Sequence, residues 1–197
     1  PVGYGSDEYD QCKVQKWKNI IALSAGYAHV LGLDKDGKAF ATGFDPNDRC
    51  KMGGWKDLQA ISAGWTHSLG LKRDGTVLAK GYGQDDQLAV EDWQEVIQVC
   101  AGNAYSLGLR KDGRVFSAGA NYDGQCNVDS WENVIRLSTG GFHTLGLRSD
   151  GTALATGQND CDQCNVAQWN RLVSLCGGRN FTLGLCENGT VLAVGSH

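Results

Sequence analysis

Proline is nearly absent from this chain, with two residues in 197 against 28 glycines. That balance excludes a proline-rich or low-complexity segment and suits a compact, turn-rich protein. Long apolar runs are also missing. No stretch could span a membrane as a helix, and no basic segment leads into an apolar one, so no membrane role is expected and any targeting segment would lie outside this chain, which begins inside a repeat unit. Concentrated positive charge is lacking too: 18 Lys and Arg face 22 Asp and Glu, for a net charge of -4. Lys16, Lys18, Lys35, Lys38, Lys51, Lys56, Lys72 and Arg73 make the first half the more basic one, but they are scattered. Nucleic-acid binding needs a focused basic surface to displace counterions and is therefore not expected. Finally, no nucleophile elbow, phosphate-cradling loop or carboxylate pair stands out, so the chain is read as a non-enzyme without cofactors.

What the chain does have is a repeat. Trp17, Trp55, Trp93, Trp131 and Trp169 stand 38 residues apart without insertion or deletion. From each Trp the unit runs through a short apolar stretch, a Gly, a loop, an aromatic or His position, Leu-Gly-Leu, a turn and a second apolar run ending in Gly. Runs this short, rich in Val, Ile and Leu and bounded by Gly, Asn and Asp, are strands. Asp36-Gly37, Asp74-Gly75, Asp112-Gly113, Asp150-Gly151 and Asn188-Gly189 fall between two runs in every unit. They predict β-hairpins with type I′ turns; as calcium ligands they are poor candidates, because only the first unit pairs Asp34 with Asp36.

A unit of this size cannot bury its apolar faces alone, so units must stack, and radial stacking gives a β-propeller. The expected fold is all-β, one domain over residues 1–197, with five 38-residue blades. Leu31, Leu69, Leu107, Leu145 and Leu183, with Leu33, Leu71, Leu109, Leu147 and Leu185, are expected to face a neighbouring blade. The glycine between each pair suggests close approach of another backbone and places that strand near the axis. Val2-Gly3-Tyr4-Gly5 matches Leu192-Ala193-Val194-Gly195 in phase, and a strand around Gln11 to Val14 is expected to close the ring. The alternative is a fragment of a seven-bladed propeller.

The pattern Ala-Gly-x-x-His-x-Leu-Gly-Leu-x-x-Asp-Gly-x-Val-x-x-x-Gly (Ala63 to Gly81), followed by Gly-Gln-Cys-x-Val (Gly124 to Val128), resembles the regulator of chromosome condensation repeat family along the whole chain. It is most similar to the short-repeat bacterial branch that includes the propeller-type β-lactamase inhibitor protein. The matching residues are Gly26, Gly64, Gly102, Gly140 and Gly178, His29, His67 and His143, and the Asp-Gly turns. Leu-Gly-Leu stands where the family often has Leu-Ala-Leu, and five units stand where seven blades are usual. The resemblance implies the fold far more firmly than a function.

Cysteines and histidines follow the repeat rather than a site. Cys12, Cys50, Cys126 and Cys164 share one position with Leu88, and Cys100 and Cys176 share another with Ser24, Ser62 and Ser138. These read as small buried thiols in a reducing compartment, which leans the localisation towards the cytoplasm. Cys161-Asp162-Gln163-Cys164 lacks two further ligands for a zinc site. His29, His67 and His143 share their position with Tyr105 and Phe181, a replacement no metal site survives, so they read as packed rings bonded to backbone.

Function is therefore sought where the units differ. One variable loop follows the repeated Gly and includes Tyr27, Trp65, Asn103, Phe142 and Arg179. A second follows the hairpin's closing Gly and includes Phe44, Asp45, Tyr82, Asn121, Tyr122, Asn159 and Asp160. In a propeller both loops can share one face, and aromatics with Arg among polar residues are the composition of a protein-binding hot spot. The resemblance implies the same, because the inhibitor protein binds through equivalent loops. The expected function is a monomeric module that binds a protein or peptide partner. The alternatives are a structural or assembly module of a longer repeat protein and, more narrowly, an inhibitor of a secreted enzyme such as a β-lactamase.

Overall fold

The computed structural model describes residues 3, 5 and 7–196. Val2 and Tyr4 of the expected N-terminal strand phase, and His197, lie outside the described residues. Fifteen strands form five three-stranded antiparallel sheets, each from one repeat and each ordered as in the chain. The first holds β1 (Ile20–Ala25), β2 (His29–Asp34) and β3 (Ala39–Gly43), the second β4 (Leu58–Ala63), β5 (His67–Lys72) and β6 (Val77–Gly81). The third holds β7 (Val96–Ala101), β8 (Tyr105–Arg110) and β9 (Val115–Gly119). The fourth holds β10 (Val134–Thr139), β11 (His143–Arg148) and β12 (Ala153–Gly157), and the fifth β13 (Leu172–Gly177), β14 (Phe181–Cys186) and β15 (Val191–Gly195). The fold is a five-bladed, all-β propeller arrangement.

The core lies between blades. Leu31, Leu33 and Ala39 of the first blade pack with Met52, Trp55, Leu58 and Ala63 of the second, and Leu69, Leu71 and Val77 with Val90, Trp93, Val96 and Val99 of the third. Leu107, Leu109 and Val115 likewise meet Val128, Trp131, Val134 and Leu137, and Leu147 and Ala153 meet Val166 and Leu172. Fully burying each leucine contributes about 1.5–3 kcal/mol, so each junction is a substantial apolar core. Hydroxyls reinforce the joints: the N–H groups of Ala63, Ala101 and Gly177 donate to Ser24, Ser62 and Ser138 of the blade before. Where Cys100 replaces that serine, Gln98 takes over, its amide accepting from Leu137 N–H and donating to the Leu137 carbonyl, both at 2.9 Å.

Three expectations are corrected. The Leu-Gly-Leu strand is the central strand of its sheet, whereas Ala25, Ala63, Ala101, Thr139 and Gly177, at the ends of the first strands, surround the axis. Its glycine makes room for the flat indole of its own repeat, not for a backbone: a β carbon at Gly70 would lie 2.9 Å from Trp55 ring atoms. The hairpins are not type I′. Gly37 (φ 80°) is in the left-handed region but Asp36 is not, and Gly37 N–H donates to the Asp34 carbonyl while Asp34 N–H donates to Lys38. This is a type I turn with a glycine bulge, and the turn carboxylate serves it directly, as when Asp74 Oδ1 accepts from Thr76 N–H.

The third concerns closure. Residues 11–14 form no strand: Gln11 and Cys12 lie in a turn, with Lys13 N–H on the Asp10 carbonyl, and Val14 is buried like Val90, Val128 and Val166 of the corresponding linkers. Asp10, Asp48, Asp86 and Asp162 all adopt positive φ there, which breaks any strand. Among the described residues, the packing that joins successive blades is not repeated between the fifth and the first. Their outward flanks are bare: Leu23 is 58% exposed, Leu185 40% and Val191 59%, whereas Leu147 and Val77 are buried.

Candidate partner-binding face

Backbone hydrogen bonds place both variable loops on one face. Tyr27, Trp65 and Gly141 donate to the carbonyls of Gly64, Gly102 and Gly178 on the following blade, so these three inner loops hang on their neighbours near the axis. The outer loops are fastened to the inner ones: Phe44 donates to Ala28, Tyr82 to Thr66, Ala120 to Ala104, Gln158 to Phe142 and Ser196 to Asn180.

At the centre of this face all five blades surround a pocket of about 300 Å³, walled by small residues such as Gly26, Ala63, Gly102 and Gly140 and rimmed by Tyr27, Trp65 and Arg179. Tyr27, 73% exposed, stacks on Trp65 at 5.1 Å, and Trp65 meets Phe142 edge-on at 5.9 Å. Arg179 is exposed. Further out, Tyr9 and Phe44 lie 4.7 Å apart. Tyr122, 85% exposed, donates its hydroxyl to Asp85 at 3.0 Å, and the carboxylate holds the phenol's pKa up. Tyr82 is half-buried and bonds Gln84.

The polar residues expected among them are differently employed. Asp45, Asn121 and Asn159 accept the N–H groups of Cys50, Cys126 and Cys164 at 2.7–2.9 Å, and the two asparagine amides donate to Asn127 and Asn165. They build the loops, because a short side-chain oxygen is what this turn requires. Asn103 is half-buried, with its carbonyl accepting from Thr66. Asp160 is exposed and accepts from Gln158.

Beneath the face runs an inter-blade relay. Ser68, Ser106 and Thr182 donate their hydroxyls to the carbonyls of Arg49, Gln87 and Gln163 at 2.7–2.8 Å. A hydroxyl has one proton, so its 2.9–3.0 Å bond to Nε2 of His29, His67 or His143 must be accepted from the imidazole. The network assigns the Nε2–H tautomer and leaves each Nδ1 buried without a partner. The expected bonds from these histidines to backbone thus pass through the next blade's hydroxyl. Burial depresses the pKa of His29 to about 4, of His67 to about 3 and of His143 to about 4, with Arg49 adding to the effect at the first two. Tyr105 replaces the relay by reaching the His143 carbonyl at 2.7 Å.

Cys50, Cys100, Cys126, Cys161, Cys164, Cys176 and Cys186 are free thiols. Cys50, Cys126 and Cys164 are half-buried rather than central to the core, and burial pushes their pKa values up to about 12, 11 and 11. Raised thiols are poor nucleophiles.

The sequence reading missed Arg49. The other units carry Gln11, Gln87, Gln125 and Gln163 there, whose side chains accept the N–H of Tyr9, Asp85, Asp123 and Cys161. Arginine cannot accept. Arg49 is 5% exposed, donates Nη1 to the Trp65 carbonyl at 2.7 Å, lies 5.6 Å from the Phe44 ring and leaves Nε buried without an acceptor. One basic residue in a column of glutamines was the legible signal.

Radially packed antiparallel blades with their variable loops on one face define a repeat propeller. The family model of the regulator of chromosome condensation (RCC1) repeat matches residues 59–87, 96–125 and 134–163. Three of its units are thus RCC1 repeats. Among solved structures it is similar to the Crinkly WD40 ectodomain of the Arabidopsis thaliana receptor kinase ACR4, with a TM-score of 0.78 and 20% identity over 98% of this chain and 75% of that one. The Physcomitrella patens receptor kinase CR4 ectodomain gives 0.77 and 23%, over 98% and 55%. Saccharomyces cerevisiae Prp20p gives 0.73 and 18%, over 89% and 57%. The chain thus spans little more than half of two of these proteins, and at such identities the likeness is one of fold. No curated protein sequence matches it.

Proposed function

We propose that this propeller is a non-enzymatic module that binds a protein or peptide through its loop face. The observation that carries the reading is the Tyr27, Trp65 and Phe142 cluster beside the axial pocket, with Tyr27 and Tyr122 largely exposed on loops held by backbone bonds. Rigid aromatics bring large contact area at low entropic cost, which is how hot spots are built. Prp20p is described by its binding to Gsp1p and histones, and yeast RCC1 (Prp20) by its complex with Kap60; the same use of the fold is proposed here without the same partners. The sites proposed are Tyr27, Phe44, Trp65, Tyr82, Tyr122, Phe142 and Arg179.

The test compares the intact chain with a Trp65→Ala, Tyr82→Ala, Tyr122→Ala variant in affinity capture and thermal melting. A partner retained by the intact chain and lost by the variant, at unchanged melting temperature, is the expected result. Equal retention, or a lowered melting temperature with no partner captured by either, would mean that the aromatics cap the blades and that the chain is a structural module.

A further inference from the structure

Arg49 has no counterpart among the repeats, and the carboxylate that acts on its charge, Asp45, forms no ion pair with it. No carboxylate lies within salt-bridge distance of its guanidinium among the described residues, and the nearby Asp45 spends Oδ1 on Cys50 N–H. Burial strips a guanidinium of hydration, and here it lowers the pKa of Arg49. Among the described residues, Nη1 donates to the Trp65 carbonyl, while Nε is enclosed without an acceptor. A glutamine at this position would satisfy the loop, as it does in four other units. The charge stands under the part of the face where aromatics crowd: the Trp65 backbone on one side, with Tyr27 stacked on that indole, and Phe44 on the other, with Tyr9 beside it.

We propose that Arg49 anchors a carboxylate of the bound peptide, supplied by an Asp or Glu side chain or by its C-terminus, while an adjoining apolar side chain packs on Trp65 and Phe44. Charge complementarity selects this ligand: a planar guanidinium with unused donors matches a carboxylate, and pairing would relieve the desolvation that the free protein bears. Arg179, exposed at the rim of the axial pocket that Trp65 also lines, adds a second positive group to this face. Specificity follows from the pairing itself, since a carboxylate engages the guanidinium's unused donors and an uncharged, apolar ligand does not. The inference rests on the loop face being a binding surface.

The test uses four pools of fluorescein-labelled random octapeptides, with or without Asp and Glu and with free or amidated C-termini, read by fluorescence anisotropy. The proteins are the intact chain, Arg49→Gln and Trp65→Ala, each checked for an unchanged melting temperature. We expect the intact chain to bind the carboxylate-bearing pools at least tenfold more tightly than the acid-free amidated pool. Arg49→Gln should erase that preference, and Trp65→Ala should weaken every pool. Side-chain and C-terminal sources separate by whether the acidic amidated pool or the acid-free free-acid pool is preferred. Equal binding of all pools, or an undiminished preference in Arg49→Gln, overturns the Arg49 assignment while leaving the face a binding surface. Failure of every pool to bind the intact chain overturns both.

Discussion

Acid should unfold this protein through three buried imidazoles whose charged form burial disfavours, with Asp45 offsetting only part of the effect at His29. Protonating His29, His67 or His143 places a new N–H on Nδ1, which is buried without an acceptor; at His29 a β carbon on Gly26 would lie 2.9 Å from that atom, a measure of how closely the backbone covers it. The folded pKa values, about 4, 3 and 4, lie below the unfolded value of 6.5. Between those limits the unfolded chain binds more protons, so stability is full above pH 6.5 and falls as the pH drops towards 4. At pH 5 each imidazole forfeits about 2 kcal/mol, or about 6 kcal/mol for the three together. A domain's whole margin is about 5–15 kcal/mol, so that loss brings it near its transition. Urea unfolding at pH 7.5 and 5.0 measures it. Histidine-to-tyrosine variants at the three positions, on the pattern of Tyr105, should lose about a third of the pH dependence apiece. A midpoint that does not move between the two pH values, or variants as acid-sensitive as the parent, would refute the reasoning.

Gly70→Ala should cost about 1–3 kcal/mol, because its β carbon would press on the Trp55 ring, whereas Gly53→Ala, with open space around it, should be close to neutral; chemical denaturation of both compares them. Glu95 sits at φ 57°, where the first and fourth units have Asn19 and Asn133. Glu95→Asn should therefore raise stability by about 0.5–1 kcal/mol, seen as a higher melting temperature, despite loss of an exposed pair with Arg110. Val77→Ala, in a closed junction, should cost about 2 kcal/mol, but the equivalent Val191→Ala should cost well under half of that because its side chain is on a bare flank. Equal losses would mean that the fifth blade is covered in solution.

Much of this fold was legible because the repeat supplies five readings of every position. A position that tolerates His, Tyr and Phe is a packed ring before any coordinates are seen, and the leucines flanking Gly70 were correctly placed against a neighbouring blade. What the pattern could not give was which neighbour fills a void. The glycine's partner is an indole fifteen residues earlier in the same unit, and nothing local to Leu-Gly-Leu encodes that. The turn was misread because Asp-Gly alone does not fix hairpin length; the hydrogen bond from Asp34 to Lys38 does. In the candidate site the aromatics were readable as variable loop residues. Asp45, Asn121 and Asn159 looked equally available, but a side-chain oxygen five residues before a buried N–H is structural, and that geometry appears only in three dimensions.

The bare flanks of the first and fifth blades bear on how this array opens. Each of the first four blades completes its core with the one after it, and three of them add a hydroxyl relay, so cooperativity passes between neighbours rather than through a common centre. Amide exchange should then be graded along the chain: slowest in β7–β9, walled on both sides, and fastest in β1 and β15, which can peel away while the middle stays folded. Local opening at the two ends should then precede the main transition, seen as early exchange in the fifth blade while the third stays protected.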